Sequence, residues 1–128
     1  MQRQWSTQLS KEISIVDDDE SVREGLVSLM KSHGYTAKSF ASAEEFLQSG
    51  IAHADCLIAD MHMPGMSGIE LVNHLATSGK SIPAILITAR DAENLRLRAR
   101  QAGVLCYLTK PFKEDVLLRC IRAAMEGK

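Results

Sequence analysis

The chain has 128 residues, of which 45% are hydrophobic and 24% charged, with a formal net charge of −1. This composition fits one globular domain with a real core, argues against disorder, and gives no electrostatic reason to expect nucleic acid or a membrane as a partner. No apolar run nears the roughly 20 residues that span a bilayer, and the polar start lacks a secretory signal. The scattered Cys56, Cys106 and Cys120 read as buried thiols of a cytoplasmic protein.

Short apolar runs alternate with amphipathic stretches five times along the chain. "ISIV" (13–16) reads as a buried strand, and the helix after it sets Val22, Leu26, Leu29, Met30 and His33 on one stripe before Gly34. "YTAKSF" (35–40) alternates like an edge strand. "SAEEFL" opens a short helix with Ser42 and Glu45 spaced as a capping box. "CLIAD" (56–60) is a second buried strand ending on an acid. The turn "MPGMSG" (63–68) leads into a helix with a second capping box, Ser67 and Glu70, and with Ile69, Val72 and Leu75 turned inward; Gly68 is expected to let that helix start close against its neighbours. "AILIT" (84–88) is a third buried strand. The helix that follows buries Leu95, Ala99 and Ala102 and keeps Arg96 and Arg100 outside. "VLCYLT" (104–109) is the last strand, and the last helix buries Val116, Leu117, Cys120, Ile121 and Ala124. Buried strands alternating with helices imply an α/β fold, a parallel sheet covered on both faces.

In such sheets chemistry sits beyond the carboxyl ends of the strands. Here those ends carry Asp17 and Asp18, Asp60, Thr88 and Ala89, and Lys110 followed by Pro111. Like charges about 4 Å apart repel by roughly 4 kcal/mol at an effective dielectric near 20, so three gathered carboxylates call for a cation. Mg²⁺ takes oxygen ligands of this kind, and a carboxylate beside it can act as a nucleophile on a phosphoryl donor. Asp19 and Glu20, by contrast, read as acids at a helix N-terminus, where the dipole favours them. His33, His53 and His74 have no ligand-like spacing.

"IVDDDESVR", "LIADMHMPGMSGIEL", "ILITAR" and "YLTKPF", in this order, resemble the response-regulator receiver domain of two-component signalling. The texture is similar to receivers that precede LuxR-type DNA-binding domains. The resemblance implies a flavodoxin-like, doubly wound five-stranded sheet in the order 2-1-3-4-5 with five helices. It implies a receiver domain over 11–128, with residues 1–10 a loose tail. It makes Asp60 the acceptor of a phosphoryl group from a histidine kinase or histidine phosphotransfer protein, in a Mg²⁺-dependent reaction. Asp17, Asp18, Asp60 and the backbone carbonyl of His62 are then the metal ligands, with Asp18 favoured over Asp17 as a direct one. Thr88 becomes the switch hydroxyl, Ala89 the small residue beside it, Lys110 the phosphoryl-contacting ammonium, and Tyr107 the aromatic that turns inward on switching. The Lys110–Pro111 bond is expected to be cis.

His62 departs from the Arg or Asn common at its place, and its imidazole is expected to be exposed. The basic fourth helix, with Arg90, Arg96, Arg98 and Arg100, reads as a solvated face or a homodimer surface shared with the fifth strand and fifth helix, where Glu114 and Asp115 offer opposite charge. Two other classes stay open at this point. One is a phosphohydrolase working through an aspartyl-phosphate, although His62 stands where such enzymes place a second acid. The other is a receiver-like module without chemistry. The chain stops soon after its last helix, so it reads either as a single-domain regulator or as a receiver cut before an output domain; no nucleic-acid or membrane binding is expected of the chain itself.

Overall fold

The structure, a computed structural model, describes residues 11–49 and 54–126. The expected tail at 1–10 and His53 lie outside the described residues. Five strands, β1 (Glu12–Val16), β2 (Thr36–Phe40), β3 (Cys56–Asp60), β4 (Ala84–Thr88) and β5 (Cys106–Thr109), alternate with α1 (Glu20–Ser32), α2 (Ala43–Gln48), α3 (Gly68–Thr77), α4 (Glu93–Gln101) and α5 (Glu114–Glu126). All strand pairs are parallel, in the order β2-β1-β3-β4-β5. Among the described residues no helix is long and apolar enough to cross a membrane.

Alternation along the central strands divides the core in two, because successive side chains of a strand point to opposite faces. Val16, Leu57, Ala59, Ala84 and Leu86 pack with Ala43 and Phe46 of α2, with Ile69, Leu71, Val72 and Leu75 of α3, and with Ala99 of α4. Ile13, Ile15, Ile58, Ile85 and Ile87 pack on the other face with Leu26 and Met30 of α1 and with Leu117, Ile121 and Ala124 of α5. Each fully buried aliphatic side chain contributes about 1.5–3 kcal/mol, so this double core supplies the main drive to fold.

Several sequence expectations shift at their edges. β5 begins at Cys106 rather than Val104, and all four of its residues are half-buried, since an edge strand has a neighbour on one side only. Cys106 is therefore a half-buried free thiol, whereas Cys56 and Cys120 are buried. In α1 only Leu26 and Met30 are fully covered, Val22 and Leu29 lie at the stripe's edges, and His33 is an exposed C-cap. Leu95, Ala102 and Val116 are half-buried for the same marginal placement.

The helix starts follow local chemistry. The Ser67 hydroxyl accepts from Glu70 N at 3.2 Å and Glu70 Oε1 accepts from Ser67 N at 2.8 Å, a complete capping box. Ser67→Ala is expected to lower stability by about 1 kcal/mol in chemical denaturation. At α2 the box is only half formed. Ser42 accepts from Glu45 N at 3.1 Å, but Glu45 Oε1 turns to Ala41 N instead. The hydroxyl of Ser14 on β1 is wholly buried and has no hydrogen-bond partner among the described residues. Ser14→Ala is expected to raise stability by up to about 1 kcal/mol, since it removes an unpaired buried polar group; a lower denaturation midpoint would contradict this.

Candidate functional site

The register of β1, β3 and β4 determines what meets at the sheet's carboxyl edge. Val16 is opposite Ala59, and Asp60 is opposite Ile87, so the residues that follow each strand converge. Carboxylate oxygens of Asp17, Asp18 and Asp60 all lie within 4.8 Å of one another. Asp17 and Asp60 are buried, whereas Asp18 faces solvent. Lys110 reaches in from the end of β5, its Nζ 3.6 Å from Asp17 Oδ2 and 3.6 Å from Asp60 Oδ1. Its own amide donates to Thr88 O at 2.8 Å, and the Lys110–Pro111 bond is cis.

The local sequence explains how the acids are held. Asp17 N donates to Phe40 O at 3.1 Å, and Asp17 Oδ1 accepts from Asp19 N at 2.9 Å. Asp19 is the N-cap of α1, its carboxylate accepting from Ser21 N at 2.9 Å and Val22 N at 3.3 Å. The bond from the Ser21 hydroxyl at 2.8 Å, then those from the backbone amides, hold its carboxyl below the usual aspartate value, so Asp19 serves the helix start while Asp17 and Asp18 lie in the carboxylate cluster. Asp60 behaves oppositely. Burial, then the Asp17 charge, push its carboxyl up to about 6, with Lys110 pulling only partly the other way. This is the physical signature of a carboxylate placed where its charge is not matched by the protein alone.

A cleft of about 250 Å³ opens beside Asp60, lined also by His62, Ala89, Arg90 and Lys110. The His62 side chain is exposed. Thr88 is fully buried, and its hydroxyl donates to Arg90 O at 2.9 Å and accepts from Arg90 N at 3.0 Å. Tyr107, one strand over, is half-buried with the Arg96 guanidinium 5.2 Å from its ring centre. Its hydroxyl is shielded from solvent and faces Asp91 and the Ala92 backbone without closing a well-formed hydrogen bond to either. Burial, then the Asp91 charge, raise this phenol above its ordinary value. Arg96 also pairs with Asp91.

All the residues expected at the site from sequence thus lie at one sheet edge, with Tyr107 set on the flank toward α4. Sequence reasoning missed Arg23, whose guanidinium donates to Asp17 O at 2.7 Å, and Glu44, which accepts from Met66 N at 3.0 Å. The first is six residues from its partner and one helical turn into α1, a spacing open to inspection; the second spans 22 positions and has no local signal.

A hard divalent cation fits this donor set, which offers clustered carboxylate oxygens, two of them on buried residues, with one ammonium for three acids. Comparison with known proteins agrees with the geometry. Residues 13–122 match the response regulator receiver domain. The chain is 41% identical over 125 residues to the response regulator protein TmoT of Ectopseudomonas mendocina, covering 97% of this chain and 57% of that protein. It is 41% identical over 115 residues to TodT of Pseudomonas putida, covering 89% of this chain and 51% of TodT. The chain therefore spans about half the length of these curated relatives. Among solved structures, FixJ-N superimposes with a TM-score of 0.85 at 33% identity, over 93% of this chain and 96% of that one. The response regulator StyR gives 0.83 at 41% identity, over 91% of this chain and 60% of that one. By sequence and by fold, this chain belongs to the response regulator receiver domains of two-component signalling.

Proposed function

We propose that Asp60 is the phosphoryl acceptor of this receiver, loaded by a histidine kinase or a histidine phosphotransfer protein in a Mg²⁺-dependent reaction. The observation that carries this reading is the buried Asp60 carboxylate, pushed up to about 6, held between Asp17 and Lys110 beside an open cleft. Asp17, Asp18, Asp60 and the His62 carbonyl would hold the metal. Bound there, Mg²⁺ supplies positive charge against the phosphoryl oxygens. An Asp60 oxygen bonds to phosphorus as the phosphorus–nitrogen bond to the donor imidazole breaks, and the imidazole, already protonated on its other ring nitrogen, leaves neutral with the bonding electron pair. Lys110 balances the charge that arrives, and the small Ala89 leaves room for it. The same groups catalyse slow hydrolysis of the acyl phosphate, so the chain is a switch rather than a turnover enzyme.

Switching follows from Thr88. Its hydroxyl, now committed to the Arg90 backbone, exchanges that partner for a phosphoryl oxygen, and Tyr107 turns into the vacated space. α4 is suited to report this exchange: its N-cap Ala92 makes no side-chain bond, and Ala99 is its one buried residue. Elements with few buried contacts are the ones that shift at low cost. The α4–β5–α5 face, with exposed Leu97 and Leu105, with Arg98 and Arg100 in the last turn of α4 and with Glu114 and Asp115 in the first turn of α5, is the surface for a second copy or an output partner. Relatives named as transcriptional regulatory proteins support an output in transcription. The unbridged thiols of Cys106 and Cys120 support a cytoplasmic site of action.

The test is intact mass after incubation with a small-molecule phosphodonor, with and without Mg²⁺. One phosphoryl adduct that needs the metal and disappears in Asp60→Asn is expected. An adduct that persists in the variant would overturn the assignment of Asp60, and phosphate release over many turnovers would favour a hydrolase.

A further inference from the structure

The corner between β2 and α2 braces the site from two directions. Its Phe40 carbonyl accepts from Asp17 N at 3.1 Å, which positions one arm of the acidic cluster. Four residues on, Glu44 reaches away from the corner to the loop between β3 and α3, where its Oε2 accepts from Met66 N at 3.0 Å. That loop carries His62. Its base is closed by Met61 N donating to Ile87 O at 2.7 Å and by Gly68 N donating to Met61 O at 3.1 Å. Its tip has no comparable backbone tie among the described bonds and rests on Glu44.

A second, independent feature marks the same contact. Gly65 has φ +79°, and a Cβ there would stand 2.7 Å from Glu44 Oε2. The glycine thus serves the left-handed turn and the close approach of the carboxylate together. Glu44 can hold this position because its helix is anchored beneath it: Ala43 and Phe46 are buried in one cluster with Met61 and Met63 of the loop, and Phe40 stacks edge-on against Phe46 at 5.4 Å. The corner is stapled in turn by the bond from Ala41 N to Glu45 Oε1 at 3.2 Å.

We propose that Glu44 is a positioning residue for the metal-binding loop, fixing the backbone around His62 so that its carbonyl is presented to Mg²⁺ before the ion arrives. This rests on the assignment of the metal site made above. Glu44 touches neither the ion nor the phosphoryl group; it acts through the Gly65–Met66 turn. Loss of such an outer support, one step further from the ion, shows as a loss of metal affinity below the roughly 10–100-fold range for partners that orient ligands directly.

The experiment compares wild type, Glu44→Ala and Glu44→Gln by calorimetric Mg²⁺ titration and by the Mg²⁺ dependence of phosphoryl uptake from a small phosphodonor. Glu44→Ala is expected to bind Mg²⁺ about three- to tenfold more weakly, and to need that much more Mg²⁺ for half-maximal uptake, with the rate at saturating Mg²⁺ unchanged. Glu44→Gln keeps an acceptor oxygen and is expected to follow wild type. General loosening of the fold would instead lower the saturated rate. Superimposable Mg²⁺ curves for Glu44→Ala and wild type would overturn the proposal, as would a Gln variant that behaves like Ala. If wild type bound Mg²⁺ but took up no phosphoryl group, the Asp60 assignment would fail while the titration still decided the role of Glu44.

Discussion

Asp60→Asn is expected to abolish phosphoryl uptake and, without Mg²⁺ at pH 7, to make the protein more stable by about 1–3 kcal/mol. The two effects have one origin. Asp60 is buried beside Asp17, and its carboxyl is raised from an ordinary value near 3.8 to about 6. Below about 3.8 both the folded and unfolded chains hold the proton; above about 6 neither does. Between those limits the folded state holds it and the unfolded state does not, so stability falls as pH rises through the window. A shift of roughly two units corresponds to about 3 kcal/mol forgone at neutral pH, the cost of keeping an under-compensated carboxylate ready for a cation. The amide removes that charge, at some cost for its own burial. Urea unfolding of both proteins from pH 4 to 7.5 in chelator should show the wild-type slope over this interval and a flatter line for the variant. Mg²⁺ should reverse the order by stabilising the wild type alone, through binding to the folded state. A variant less stable than wild type at pH 7 in chelator would show that Asp60 is well compensated without metal.

Gly68→Ala is the other large effect, a loss of about 2–3 kcal/mol, or roughly 3–5 °C of Tm for each kcal/mol in a domain of this size. A Cβ at this first residue of α3 would lie 2.5 Å from Asp60 O and 3.0 Å from Leu86 Cδ2. The nearer atom is backbone at the end of a central strand, so relief requires moving α3 or the Asp60 peptide itself. Catalysis should therefore suffer with stability, through misplacement of Asp60. Gly25→Ala is the matched control. A Cβ at Gly25, inside α1, meets nothing within 4 Å, and the substitution should stabilise the helix by about 0.5–1 kcal/mol. The same exchange of residues thus takes opposite signs at two helical glycines. Equal effects at both positions would mean that the close approach at Gly68 relaxes freely.

The legible part of the site was the part written at strand ends. Asp17, Asp18, Asp60, Thr88 and Lys110 each follow an apolar run, and parallel strands carry such residues to a common edge without regard to side-chain detail. Both cap serines were readable for a similar reason, since a bond between positions three apart is encoded within one window. The limit of that logic appears at Glu45. It sits at the spacing of a capping box, yet it bonds to Ala41 N, because the choice among nearby amides depends on how the chain enters the helix. β5 shows the same limit at its start. Val104 continues the apolar run in sequence, but an edge strand ends where its one neighbour stops pairing.

By itself, then, the sequence determined the alternation of strand and helix, the buried faces, and which polar groups stand at the carboxyl edge, because periodicity and local capping are short-range properties. Tertiary structure alone decided the affinity of Asp60 for its proton and the contact of Glu44 with the His62 loop. Each of these depends on desolvation or on contact between elements distant in the chain, and neither exists until the layers have packed.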